Sequence, residues 1–166
     1  MVGILNRKAN KIMQINKTSS TDGGRQFIKF LATGQEFATD IMSVREIRGW
    51  TETTTVPHAP HYVLGVINLR GVVLPVIDLK ARLGMGMTEP CSSHVIIVLE
   101  NGTRTTGVLV DAVLDIMSVS ADQIQQVPAL VRESQNDYMG GIAVIDDKMV
   151  TLLEIDKLMA DVDTFG

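Results

Sequence analysis

Cysteine, aromatic residues and long apolar runs are scarce in this chain of 166 residues. The single cysteine, Cys91, excludes an intrachain disulfide and is typical of a reducing compartment. No run approaches the roughly 18 consecutive apolar residues of a membrane-spanning helix. Aromatic residues make up 4% of the chain and hydrophobic residues 45%, which predicts an aliphatic core.

Positive charge is also scarce outside the first residues. Positions 1–24 hold four basic residues and one acid, whereas the remainder carries 11 basic and 18 acidic residues, a net charge of −7. Phosphate binding needs a basic face, so nucleic acid is not expected as the main partner. We expect a flexible N-terminal tail at 1–24, one domain at 25–160 and a C-terminal tail at 161–166.

Motifs of catalysis, cofactor binding and metal binding are missing from the sequence. It contains no Gly-x-Ser-x-Gly, His-Glu-x-x-His, P-loop or Cys-x-x-Cys pattern. His58 and His61 are three residues apart, but Pro60 between them disfavours the helix that would align them on a metal. Nothing near Cys91 in the sequence would lower the pKa of its thiol. We therefore expect no enzyme activity, no cofactor and no metal.

The clearest local pattern is a predicted β-hairpin. Two runs rich in β-branched residues, Val63–Leu69 and Val72–Ile77, flank Arg70-Gly71. Gly71 supplies the positive φ that a tight hairpin turn needs. Pro75 cannot donate to a ladder, which predicts an edge strand or a bulge at that point. Asp78 then caps a predicted short helix.

The hairpin-plus-helix pattern occurs twice. Gly65 and Asp78 are matched 76 positions later by Gly141 and Glu154, and Val44–Ile47 is matched by 113–116. Roughly five short strands per unit predict small barrels, the first at about 26–88 and the second at about 92–160. Barrels of about 65 residues are marginal alone, so we expect the two to share an apolar seam.

The segments Gly65-Val-Ile-Asn-Leu-Arg-Gly71 and Pro75-Val-Ile-Asp-Leu79 resemble the signature of the CheW family of bacterial chemotaxis coupling proteins, and the resemblance extends from about Gln26 to Met159. It implies a mainly all-β fold of two five-stranded SH3-like barrels side by side, with short helices after the hairpins and with or without exchange of their first strands. It implies a non-catalytic cytoplasmic adaptor that holds a CheA-type histidine kinase against methyl-accepting chemotaxis receptors in membrane-associated arrays.

The resemblance also implies an apolar groove between the barrels in which a receptor's helical tip docks. The matching positions in this sequence are Val44, Val73, Val95 and Ile116. Helix-in-groove binding needs such aliphatic residues to be exposed. The alternative is that they are ordinary core residues.

Polar residues beside the hairpin suggest a second feature. We hypothesise that Glu46 and Arg70 form an ion pair that braces the hairpin, the alternative being two solvated charges. Gly65 and Gly71 are interpreted as backbone requirements.

The kinase contact is expected near strand ends in the first unit, at Ile41, Ile47 and Arg48. Two rival interpretations stay open. One is a detached regulatory domain of the kinase type, and the other is a small β-barrel module that binds nucleic acid or a small ligand.

Overall fold

The computed structural model describes residues 10, 11, 14, 24–128 and 138–160. Apart from Asn10, Lys11, Gln14 and Gly24, the tail expected at 1–24 lies outside the described residues. All of the tail expected at 161–166 lies outside them too.

The described residues are mainly β-structure, which confirms the predicted fold class. The helical elements whose bounds are described are short: two single-turn α-helices, Leu79–Arg82 and Ile155–Leu158, and two 3-10 turns, Ile41–Ser43 and Ala121–Gln123. Asn10, Lys11 and Gln14 are helical as well. The strands in chain order are β1 (Arg25–Ala32), β2 (Gln35–Asp40), β3 (Val44–Gly49), β4 (Val63–Leu69), β5 (Val72–Asp78), β6 (Val95–Asn101), β7 (Arg104–Val110), β8 (Ala112–Val119), β9 (Ile124–Gln125), β10 (Met139–Ile145) and β11 (Lys148–Leu153).

The two sheets exchange hairpins between the halves of the sequence. One sheet has the order β3-β6-β7-β5-β4, and the other has the order β8-β1-β2-β11-β10-β9. The β6–β7 hairpin of the second half thus completes the first sheet, and the β1–β2 hairpin of the first half completes the second sheet. Neither sheet is built from one half of the sequence, so the contiguous spans 26–88 and 92–160 do not describe the sheets.

The predicted repeat is visible in the backbone of the two matching hairpins. β4 pairs with β5 and β10 pairs with β11, and each ladder shifts register at its glycine, Gly65 or Gly141. Both turns have two residues with positive φ, at 70–71 in the first hairpin and at 146–147 in the second. This is the two-residue turn that matches strand twist.

The position of Pro75 differs from the prediction. It lies in β5, which is flanked by β4 and β7 and is therefore not an edge strand. The ladder tolerates the missing N–H because β5 pairs with β7 only from Val76 onward, and because the bulge is on β4 instead.

The largest core cluster lies between the two sheets and joins them. It contains Phe30 of β1, Val44 of β3, Ile97 of β6 and Leu158 of the last helix, all at most 2% exposed. Two smaller clusters lie within the individual sheets. The apolar seam expected between the units is therefore present as a packed core.

Arg82 links the two halves at this seam. Its guanidinium lies 4.2 Å from the ring centre of Tyr62 and 4.8 Å from that of Tyr138, two tyrosines that occupy matching repeat positions. Its Nε donates to the carbonyl of Leu158 at 3.1 Å. Since Arg82 is only 8% exposed, these contacts operate away from water, where they are strongest.

Replacing Arg82 by Met is expected to lower the free energy of unfolding by about 2–3 kcal/mol, because a charge-assisted hydrogen bond and two ring contacts are lost. Urea denaturation measures this loss. The matched control is Arg45→Met, at an exposed arginine, which should change stability by less than about 0.5 kcal/mol. Equal effects of the two substitutions would show that Arg82 does not hold the halves together.

Candidate functional site

The turn of the β4–β5 hairpin presents a charged side chain next to β3. Arg70 and Gly71 have φ of 51° and 87°, and the Oδ1 of Asn68 accepts a hydrogen bond from the Gly71 N–H at 2.9 Å. Arg70 Nη2 donates to Glu46 Oε1 at 2.5 Å. The hypothesised ion pair is thus present in the structure.

The two side chains of the ion pair differ in their exposure to solvent. The Glu46 side chain is 20% exposed and that of Arg70 is 63% exposed. The hydrogen bond and the negative charge of Glu46 raise the pKa of Arg70 above its ordinary value. The open guanidinium has five N–H donors, so it can bind an acidic group of a partner while it holds Glu46.

Exposed valines follow the turn on the second strand of the hairpin. Val72 and Val73 are 47% and 64% exposed. Beside them is a cavity of about 290 Å³, whose lining includes Arg48, Asn68 and Val73. We call the surface formed by Glu46, Arg70, Val72 and Val73 the hairpin face.

The four residues of the predicted groove do not line one open surface. Val73 is exposed and Ile116 is partly buried against the central core, but Val44 and Val95 are 0% and 6% exposed and lie within that core. The expectation that all four are open to a partner is wrong for Val44 and Val95. The physical reason is that Val44 and Val95 lie on paired strands, β3 and β6, whose inner face forms the packed seam.

Most of the expected kinase-contact residues are also covered. Ile41 and Ile47 are 2% and 1% exposed, so neither side chain is available to a partner. Arg48 is partly buried, and its Nε has no hydrogen-bond partner among the described residues. Met42 on the 3-10 turn is 67% exposed and Arg45 on β3 is exposed too, and neither was predicted as a contact.

The two hairpin glycines are backbone requirements, as the sequence predicted, but for different reasons. Gly65 has φ of +148°, and a Cβ placed there would collide with the carbonyl of Thr54, whose carbon would be 2.8 Å away. Gly71 has φ of +87° and open space around the position of a Cβ. Gly65 is therefore needed for close packing and backbone angle, and Gly71 for backbone angle alone.

A depression opens at the join of the two sheets, away from the predicted residues. It has a volume of about 350 Å³, and Phe37, Leu83, Met85, Tyr138 and Leu153 form its apolar lining. Tyr138 precedes β10 and Met85 follows the first short helix. No sequence pattern marks this depression, because its residues come from segments far apart in the chain.

Cys91 differs from expectation in its surroundings. Its Sγ lies 3.0 Å from the hydroxyl oxygen of Ser93, and this hydrogen bond lowers the pKa of the Cys91 thiol. The prediction that nothing nearby would lower this pKa is wrong, because Ser93 is only two residues away and the local turn folds it back onto the thiol.

The described residues offer neither a metal site nor a membrane-spanning helix. Residues 10, 11, 14, 24–128 and 138–160 contain no group of three or more His, Cys, Asp or Glu side chains that could hold a metal ion. Over the same positions, no helix has the length and apolar character to cross a membrane.

The fold and the hairpin face define the class of protein: an all-β protein of two sheets that exchange hairpins and that leave one braced hairpin exposed. Comparison with known proteins gives a family. A model of the CheW-like domain matches residues 26–163. The chain therefore belongs to the CheW-like family.

Relatives in this family are chemotaxis proteins. The chain is 51% identical over 138 residues to the chemotaxis protein CheW of Rhizobium meliloti, covering 83% of this chain and 89% of that protein. It is 47% identical to the probable chemotaxis protein CheW of Rhizobium etli, covering 88% and 94%. The crystal structure of the scaffolding protein TtCheW from Thermoanaerobacter tengcongensis matches with a TM-score of 0.75 at 29% identity, covering 85% of this chain and 91% of that chain.

Proposed function

We propose that this chain is a non-catalytic cytoplasmic adaptor that couples the signalling tips of chemotaxis receptors to a CheA-type histidine kinase within membrane-associated arrays. Residues 25–160 are the adaptor domain in this proposal. The family membership supports a scaffolding role in chemotaxis. The observation that carries the finer assignment is the hairpin face, where an ion pair holds exposed aliphatic side chains in a fixed position.

The hairpin face suits a helical partner for a physical reason. Binding energy at interfaces concentrates in a few well-placed residues surrounded by neutral contacts. Val72 and Val73 supply apolar area, and Arg70 supplies a charge that fixes orientation. Because Glu46 and the turn hold the hairpin, little conformational entropy is lost when the partner docks.

Replacing Val73 by Asp is expected to weaken binding of a receptor signalling-tip fragment by about tenfold or more, because a charge would have to be desolvated at the contact. Isothermal titration with the purified fragment measures the affinity. The thermal midpoint should be unchanged, since Val73 is 64% exposed.

The chain offers a matched control at the corresponding position of the second hairpin. Met149 occupies the repeat position of Val73 and is 71% exposed. Met149→Asp introduces the same charge at a similarly open site, and it should leave receptor binding intact. Equal loss in both variants would contradict a role specific to the hairpin face, and no loss in Val73→Asp would remove Val73 from the contact.

A further inference from the structure

The first sheet leaves a cavity between its two edge strands. The sheet has the order β3-β6-β7-β5-β4, so β3 and β4 are its edges. Two contacts join this side of the sheet: the ion pair of Arg70 with Glu46 beside the hairpin turn, and the backbone hydrogen bonds that Thr54, after β3, exchanges with Val66 of β4. The cavity of about 290 Å³ described above lies at this gap, because its lining comes from β3, from 51–54 and from β4.

Arg48 brings a buried donor without an acceptor to this cavity. Its side chain lies on the same face of β3 as that of Glu46, because the two residues are two positions apart with no bulge between them. Arg48 lines the cavity, and its Nε is buried without a hydrogen-bond partner among the described residues. A buried donor that lacks an acceptor destabilises the free protein. An acceptor supplied by a partner would therefore remove this cost on binding.

The acceptor that suits a guanidinium best is a carboxylate. Its two oxygens accept from Nε and from one Nη in parallel, and such charge-assisted pairs are stronger than neutral hydrogen bonds. The Nε of Arg48 is covered in the unbound protein, so this pair forms after a rotation of the side chain into the cavity. Val66, Ile67 and Val73 supply an apolar wall for the stem of an acidic side chain. Glu52, the acid in the lining, is exposed, so its own carboxylate can stay in water.

We propose that this cavity receives the carboxylate of an Asp or Glu side chain of the receptor signalling tip, and that Arg48 is the residue that selects it. This inference rests on the function proposed above and deepens it. Val73 belongs to the hairpin face and also lines the cavity, so a single partner can place an apolar residue on Val73 and a carboxylate against Arg48. The proposal moves Arg48 from the kinase contact expected from the sequence to the receptor contact.

The test uses the full chain and a purified receptor signalling-tip fragment, with affinity measured by isothermal titration. Arg48→Met removes the guanidinium and keeps an unbranched side chain, whereas Arg48→Lys keeps the charge without the fork of donors. Arg45→Met is the matched control, because it removes the same charge from an exposed residue of the same strand. Urea denaturation of each variant reports folding separately.

We expect the affinity for the fragment to fall about tenfold or more in Arg48→Met. Arg48→Lys should restore it only in part, and Arg45→Met should bind like wild type. The urea midpoint of Arg48→Met should not fall, because Nε has no hydrogen bond to lose in the free protein. On the fragment, replacement of one acidic residue by its amide should weaken binding to wild type and have no further effect on binding to Arg48→Met.

Unchanged fragment affinity in Arg48→Met, together with the loss expected for Val73→Asp, would overturn the carboxylate site and leave the proposed function standing. Loss of binding to a CheA-type regulatory domain with unchanged fragment affinity would overturn the site as well, and it would return Arg48 to the kinase contact. A lowered urea midpoint in Arg48→Met would overturn it by showing that Arg48 already has a partner within the chain. Wild-type protein that does not bind the fragment would overturn the proposed function and this inference together.

Discussion

Replacement of Val44 by Asp is expected to unfold most of the protein at 37 °C. Val44 is 0% exposed and belongs to the central core that joins the two sheets. A carboxylate there would lose its hydration without a compensating partner, and the methyl groups of valine would be lost as well. The expected loss is about 4 kcal/mol or more, a large part of the typical stability of a domain. Guanidinium denaturation and near-ultraviolet circular dichroism measure it.

The same substitution at Val73 is the control, because both residues were assigned to one groove from the sequence. Val73→Asp should change the free energy of unfolding by less than about 0.5 kcal/mol, as is usual for exposed sites. A folded Val44→Asp protein with the wild-type unfolding midpoint would show that Val44 does not lie in the core. That result would support the groove predicted from the sequence, in which Val44 contacts a partner.

Gly65→Ala is expected to be the second most damaging change. The new Cβ would collide with the Thr54 backbone, and φ of +148° is a region that alanine avoids. The Thr54 backbone cannot move away from the new Cβ without breaking hydrogen bonds, because Thr54 and Val66 exchange backbone hydrogen bonds of 2.9 and 2.8 Å at this point. We expect a loss of about 3 kcal/mol in thermal or urea unfolding.

Gly71→Ala separates the two causes. Gly71 has a left-handed φ but open space around it, so only the backbone penalty of about 1 kcal/mol applies. A loss at Gly71 as large as that at Gly65 would mean that backbone angle alone decides both positions, and that the close approach of Thr54 is unimportant.

Local features of the fold could be predicted because neighbouring residues determine them. The two-residue turn at Arg70-Gly71 and the helix cap at Asp78 are both present. The repeat also correctly indicated two matching hairpins, whose ladders shift register at Gly65 and Gly141 in the structure. Each of these depends on backbone angles and hydrogen bonds within a few positions.

The groove could not be predicted with the same success, because an aliphatic strand residue looks the same in a core and in a binding site. Val44 and Val73 are both valines in β-branched segments, yet one is fully buried and the other is 64% exposed. Their difference depends on which sheet covers which face, and the exchange of hairpins decides that. The depression at the join of the two sheets could not be predicted for the same reason, because the arrangement of the sheets brings its lining residues together.

The two hydrogen bonds between Asn10 and the Ile47 backbone could not be predicted from sequence patterns, for another reason. Asn10 and Ile47 are 37 positions apart, and an asparagine in a polar segment has no periodicity that marks its partner. The placement of β3 at the sheet edge leaves the Ile47 N–H and carbonyl open to Asn10.

In the function that we propose, this chain joins a receptor to a kinase, and the hairpin face contacts the receptor. Size-exclusion chromatography with a receptor signalling-tip fragment and a CheA-type regulatory domain, each alone and both together, tests it directly. We predict that wild type co-elutes with both at once, that Val73→Asp loses the receptor fragment but keeps the kinase domain, and that Met149→Asp keeps the receptor fragment. Folded wild-type protein that co-elutes with neither partner would contradict the account.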